Sequence, residues 1–198
     1  MDELVEMKNV FDEVHKHYPF NKEWLLRDIT EHHGSHKYVF FWQPKITGEV
    51  NKSCLGQWYP SPFDYNNQHF LFAEQFMMAY KAKLFHDDEM YQKIMKSTEP
   101  RQMKKFGQQV RNFDSDVWDQ YKDVIVYTGN IQKFTQNPEL RKFLVETGDK
   151  VLVEASPYDN IWGIKMDENN PNCRKPELWL GENHLGFDLM ITRGMLLV

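Results

Sequence analysis

Helix start and stop signals crowd the middle of this chain and limit what it can build there to short helices. Asp87 is an acidic cap for a helix from Asp87 to Lys96, and Ser97-Thr98-Glu99-Pro100 opens another that stops at Gly107. Upstream, the pattern of Leu71–Phe85 is helical. Downstream, Phe113-Asp114-Ser115-Asp116 supplies caps for a helix carrying Trp118. Asn137-Pro138-Glu139 then sets a cap, a first-turn proline and an acidic residue ahead of Leu140–Thr147, which Gly148 ends. Lys133-Phe134-Thr135-Gln136, ahead of that cap, reads as the lead-in to this helix start. A final apolar stretch from Leu185 to Leu196 predicts a packed helix.

Strand signals are sparser. Lys37–Trp42 is aromatic and β-branched, Lys150–Ala155 alternates so that Val151, Val153 and Ala155 share a face, and Ile161–Ile164 predicts a further short strand. Pro44–Pro62 reads as turns. At the front, Leu4, Met7, Val10, Phe11 and Val14 line one helical face, and Asn21 caps a second helix ending near Gly34. With no repeat, low-complexity tract or linker, the expectation is a single compact α+β domain, mainly α-helical with a few short strands, preceded by an N-terminal helical extension over residues 1–36.

Composition excludes several function classes. Aromatic residues make up 15% of the chain, which supplies core area and argues against disorder. A formal net charge of -5 argues against a protein that coats nucleic acid, because neutralising phosphates takes a surplus of Lys and Arg. Cys54 and Cys173 lack the paired spacing of a disulfide framework or a zinc site and read as reduced thiols. His15, His17, His32, His33 and His36 cluster without a recognised ligand spacing, so they read as solvated side chains and no metal is expected. The opening MDELVEMKNVFDEV is neither a signal peptide nor a membrane span, and no later apolar run approaches the ~18 residues of a span. A cytosolic protein without membrane contact is the expectation.

The stretch Ala73–Lys83 places Glu74 and Lys81 on nearly one helical face with Met78 between them. At a rise of about 1.5 Å per residue their Cα atoms lie about 10 Å apart, too far to pair but wide enough for a sugar-sized ligand. On spacing alone this is an amphipathic helix whose Glu and Lys are ordinary surface charges. Two loops combine aromatics and prolines, the second with carboxylates as well: Trp58-Tyr59-Pro60-Ser61-Pro62-Phe63 and Glu154-Ala155-Ser156-Pro157-Tyr158-Asp159-Asn160-Ile161-Trp162-Gly163. Loops of this kind often carry sites, and equally form rigid turns in which an Asp bonds its own backbone.

In this order the segments resemble the NADAR (NAD and ADP-ribose), or YbiA-like, superfamily. Its members show a Ser-Gln-Trp-Tyr-Pro-Ser-Pro-Phe block, an acidic residue in a helix ending Lys-Ala, and a Glu-Ala-Ser-Pro-x-Asp-x-x-Trp-Gly block. The resemblance runs from about Tyr38 to Arg193 and takes in Phe113, Trp118, Lys133-Phe134, Gln136-Asn137, Thr147-Gly148-Asp149 and the closing Trp179-x-Gly-x-Asn183-x-Leu-Gly186 with Leu189-Met190. It implies a YbiA-like domain over residues 37–198. Gly56 stands where the family has Ser, and Ile164-Lys165 follow Trp162-Gly163 where a Gly is usual. Both departures bear on substrate detail.

The resemblance implies an N-glycosidase that hydrolyses a ribose C1′–N bond, foremost in phosphorylated ribosylamino-pyrimidine intermediates of riboflavin biosynthesis. The alternatives are removal of ADP-ribose from guanine bases of nucleic acid, and a non-catalytic module that binds NAD or ADP-ribose. Its partner would be a small ribosyl phosphate or ADP-ribose-type ligand, or ADP-ribosylated nucleic acid, with no cofactor required. Glu74 matches the motif glutamate and would stabilise the oxocarbenium-like state and direct water. Asp159 would hold ribose hydroxyls or serve as the second carboxylate. Lys81 would act electrostatically or form a Schiff base. Trp118 and Trp162 would stack on a base, Trp58 and Tyr59 would wall the pocket, and Lys104, Lys105 and Arg193 would contact phosphate.

Overall fold

The computed structural model describes residues 2–31, 33 and 35–198. The chain folds as two compact units: Met1–Glu13 with Gln57–Pro138, and Val14–Gly56 with Glu139–Val198. The class is α+β and mainly helical, as expected, with a few short strands.

In the first unit, the part of helix α1 (Asp2–His17) up to Glu13 contributes Leu4, Met7 and Phe11 to the interior, and Phe11 meets Tyr127 at 5.3 Å between ring centroids. Val10, expected on that face, is 55% exposed. Glu3 ties the helix to its unit through a carboxylate that accepts from the Tyr80 hydroxyl at 2.5 Å and from Asn66 Nδ2 at 2.6 Å.

A hairpin that the sequence reading missed precedes the central helix. Its strands are β2 (Phe63–Tyr65) and β3 (Gln68–Phe70), antiparallel, with Phe63 opposite Phe70. Asn66 and Asn67 turn the chain with φ of 48° and 60°, the doubly left-handed geometry that two-residue hairpins favour.

Helix α3 (Ala73–Leu84) follows and is buried almost all round, since α4 (Asp88–Lys96), α5 (Pro100–Gln108) and α6 (Ser115–Gln136) all pack on it. Gly107 allows the closest of these approaches. A Cβ there would stand 1.9 Å from Met78 Sδ. The caps behave as read: Asp87 accepts from the Met90 N–H, and Asp114 from those of Asp116 and Val117. Helix α6 runs unbroken to Gln136, so Lys133–Gln136 form its last turn and not the lead-in to the next helix. The Asn137 amide donates back to the Lys133 carbonyl.

In the second unit, α2 (Lys22–Glu31) is capped by Asn21, whose Oδ1 accepts from the Trp24 N–H at 2.7 Å. Gly34, expected as its stop, lies outside the described residues, as does His32. His36 is not simply solvated, because Nε2 lies 2.8 Å from Asp28 Oδ2.

The two strands there, β1 (Tyr38–Phe41) and β4 (Val151–Glu154), pair in parallel with Tyr38 opposite Val151. A parallel pair is normally covered on both faces. Leu152 is accordingly as buried as Val151 and Val153, which corrects the one-faced reading of this strand. Helix α7 (Pro138–Glu146) ends before Gly148, at φ 62°. Helix α8 (His184–Leu196) packs on β4 and is buried continuously from Leu185 to Arg193.

The strand expected at Ile161–Ile164 is absent. The Asp159 carboxylate accepts from the Ile161 and Trp162 N–H groups, and the Asp159 carbonyl accepts from the Lys165 N–H. Those bonds curl the segment into a loop. No helix among the described residues is long and apolar enough to cross a membrane.

Candidate active site

Glu74 occupies the first turn of α3 and is 5% exposed. Spacing alone makes it a surface charge; the structure makes it an interior one, because α4, α5 and α6 bury the faces that an isolated helix would leave in water. A negative charge in the first turn is favoured by the helix dipole.

Two contacts fix the position. The Glu74 N–H donates to the Gln57 carbonyl at 3.0 Å, which pins the Trp58-Tyr59 loop to the start of the helix. Next to it, Gln75 is fully enclosed: Oε1 accepts from the Leu71 N–H at 2.7 Å, and Nε2 donates to the carbonyls at the end of α4, including Ile94 at 3.1 Å. Sequence reasoning missed Gln75. A polar residue inside an apolar helical run was the signal available.

Two turns on, Lys81 carries an ammonium flanked by rings. Nζ lies 4.4 Å from the Phe113 centroid and 5.3 Å from that of Trp118. Desolvation pushes the pKa of Lys81 below its ordinary value, and the charge of Glu74 partly opposes the shift. The two groups therefore sense each other electrostatically. Trp118 is buried, while Phe113 keeps about half its surface exposed at 47%. The family pattern includes Phe113 without implying a role for it.

Trp58 is half-buried, and Tyr59 is buried with its carbonyl accepting from Ser61 Oγ at 2.9 Å. Lys104 and Lys105 are exposed on α5. The first unit thus gathers Glu74, Lys81, Trp58, Tyr59 and Trp118 around α3 and the loop leading into it.

Asp159, Trp162 and Arg193 belong to the second unit. Asp159 Oδ1 is engaged by the backbone of its own loop, at 2.9 Å from the Ile161 N–H and 2.8 Å from that of Trp162. The Trp162 ring meets His184 edge-on at 6.0 Å. Arg193 is buried and donates from Nη1 to Thr147 Oγ1 and the Lys150 carbonyl, each at 2.8 Å. Burial lowers its pKa to about 10, against the pull of Asp149.

Asn183, also buried, belongs to the closing motif, which by itself implies no role for it. At φ 58° it accepts from the Glu154 N–H and donates to the Leu152 carbonyl, so it joins β4 to the start of α8. Among the described residues no group of three or more His, Cys, Asp or Glu is placed to hold a metal ion.

Comparison with known proteins assigns this arrangement to a family. The model of the NADAR domain matches residues 40–197. The chain belongs to the NADAR family. An N-glycosidase of Acanthamoeba polyphaga mimivirus is 42% identical to this NADAR chain over 162 residues, covering 79% of the chain and 95% of the viral protein. A riboflavin biosynthesis protein of Vibrio vulnificus (strain YJ016) is 24% identical over 155 residues, which cover 78% of the chain but 37% of that longer protein. The NMR structure of the E. coli protein YbiA superposes with a TM-score of 0.65 at 21% identity, over 83% of the NADAR chain and 87% of YbiA, and shows that the fold is YbiA-like. Family membership and relatives of this kind make the chain a hydrolase of N-glycosyl bonds.

Proposed function

We propose that the bond this enzyme hydrolyses joins C1′ of a phosphorylated ribose to a nitrogen of an aminopyrimidine, in an intermediate of riboflavin biosynthesis, with Glu74 as the central carboxylate. One observation carries the reading: a carboxylate held at 5% exposure in the first turn of a buried helix, two turns from a ring-flanked ammonium.

As the C1′–N bond breaks, positive character develops on the ribose ring. A fixed carboxylate in a site sheltered from water stabilises it more than a solvated one would. The same carboxylate orients the attacking water, whose oxygen joins C1′ while the departing nitrogen takes up a proton. Lys81 acts electrostatically, its ammonium steadying the anionic end of the substrate. Trp118 and Trp58 supply flat surfaces for the base.

Asp159 and Arg193 are assigned holding roles within their own unit, since Asp159 Oδ1 shapes its loop and Arg193 Nη1 bridges Thr147 and Lys150. The riboflavin branch is supported by the Vibrio relative, a riboflavin biosynthesis protein, and by the net charge of -5, which disfavours a duplex nucleic acid as substrate.

The test is to incubate the protein separately with the ribosylamino-pyrimidine phosphate, with NAD and with an oligonucleotide ADP-ribosylated on guanine, following base release by mass spectrometry. Release of the pyrimidine with formation of ribose phosphate is the expected result. Turnover of the oligonucleotide alone would move the assignment to an ADP-ribosyl hydrolase. Binding of ADP-ribose without any turnover would leave a binding module.

A further inference from the structure

We infer that Phe113 is a positioning residue for Lys81, and that the ion pair between the enclosed Asp87 carboxylate and the exposed Arg111 side chain holds Phe113 in place. The inference starts from what surrounds the lysine. Its ammonium lies against two aromatic faces, Phe113 at 4.4 Å and Trp118 at 5.3 Å. Trp118 is fixed by burial within α6. Phe113 is not, because it stands in the connection between α5 and α6 with 47% of its surface in water. A half-exposed ring on a loop holds a cation in one place only if the loop itself is held.

Three features hold it. Asp87, whose side chain is wholly enclosed, accepts from the Arg111 backbone N–H at 2.8 Å, from Nε at 3.0 Å and from Nη2 at 2.6 Å, while also capping α4 through the Met90 N–H. The next residue, Asn112, turns the chain at φ 56°, a left-handed conformation that Asn tolerates better than most side chains. The ring then rests on Phe85, at 5.2 Å between centroids, just past the end of α3. Asp87 therefore secures the loop at its backbone, and Phe85 secures the ring. The lysine thus gains a fixed position against two aromatic faces. Attraction between the ammonium and the ring face accounts for the contact.

The inference rests on the proposed role of Lys81 only in its kinetic part, and the experiment separates the two. In the full-length protein, the labelling rate of Lys81 by reductive methylation, read by peptide mass spectrometry, reports how well the ammonium is sheltered. Phe113→Ala should label at Lys81 about tenfold faster, the scale that a contact of this kind supports. Phe113→Tyr should label like the parent. Phe113→Leu, which keeps bulk but not the ring, should behave like Phe113→Ala, and Arg111→Ala should raise labelling in the same direction. Unchanged labelling in Phe113→Ala, or full protection in Phe113→Leu, would overturn the inference.

In the kinetic part, Phe113→Ala should lower kcat/KM on the ribosylamino-pyrimidine phosphate about tenfold in the parent and not at all in Lys81→Met. An equal loss in both backgrounds would also overturn it. Faster labelling together with full activity of Lys81→Met would leave the positioning intact and refute the role proposed for Lys81.

Discussion

Gly107→Ala isolates how tightly the helix bearing Glu74 is enclosed. The added methyl would lie 1.9 Å from Met78 Sδ, 2.9 Å from its Cγ and 3.2 Å from its Cβ. The sulfur end can rotate away. The Cβ cannot, since it is fixed to the backbone of α3, so either α5 backs off or Met78 leaves its rotamer. Overpacking of this kind costs about 1–3 kcal/mol, and alanine recovers about 0.5–1 kcal/mol over glycine within a helix, leaving a net loss of about 1 kcal/mol at the middle of both ranges. For a chain of this size that corresponds to a Tm lower by about 2–4 °C. Urea and thermal unfolding followed by circular dichroism measure it directly. A variant as stable as the parent or more so would show that α5 does not press on α3, and with it the explanation of why Glu74 is buried would fail.

Two further outcomes follow from the first unit. Glu3→Ala removes the acceptor of the buried Tyr80 hydroxyl and should destabilise by about 1–3 kcal/mol, while Tyr80→Phe in that background should cost little more; urea titration of the double-mutant cycle checks it. Hydrogen bonds and charge from Arg111 hold the Asp87 carboxyl well below its ordinary value of 3.8. The stability contributed is therefore complete above about pH 4 and is lost as pH falls further through the folded-state value. Asp87→Asn should consequently trail the parent most at neutral pH, with the gap narrowing below about pH 4 in urea unfolding from pH 7 to pH 2; a constant gap would contradict the assignment.

What could be read from the sequence was chiefly what is decided locally. Asn21, Asp87, Asp114 and Pro100 mark helix starts because a cap or a first-turn proline acts within a few residues of itself. The Asn66-Asn67 turn was missed because it lacks the glycine that usually announces such a hairpin. Ile161–Ile164 looked like a strand by its side chains, but the Asp159 carboxylate captures the backbone N–H groups that a ladder would need.

The interior position of Glu74 depends on three helices arriving from later in the chain, so no window around residue 74 contains it. The order of the motif blocks pointed to this glutamate before its burial was visible. The partners of Gln75 at the end of α4 and of Asn183 on β4 are equally non-local, so the sequence marks both residues without showing what they bond.

Steady-state turnover of Glu74→Gln on the ribosylamino-pyrimidine phosphate, measured beside its unfolding midpoint, tests the central claim most directly. The amide keeps the shape and removes the charge. The expected result is a kcat lower by at least about a hundredfold with an unfolding midpoint at or above that of the parent, the scale expected when a fixed electrostatic group facing the reacting centre is removed. An undiminished rate in a folded variant would contradict Glu74 as the carboxylate that faces C1′.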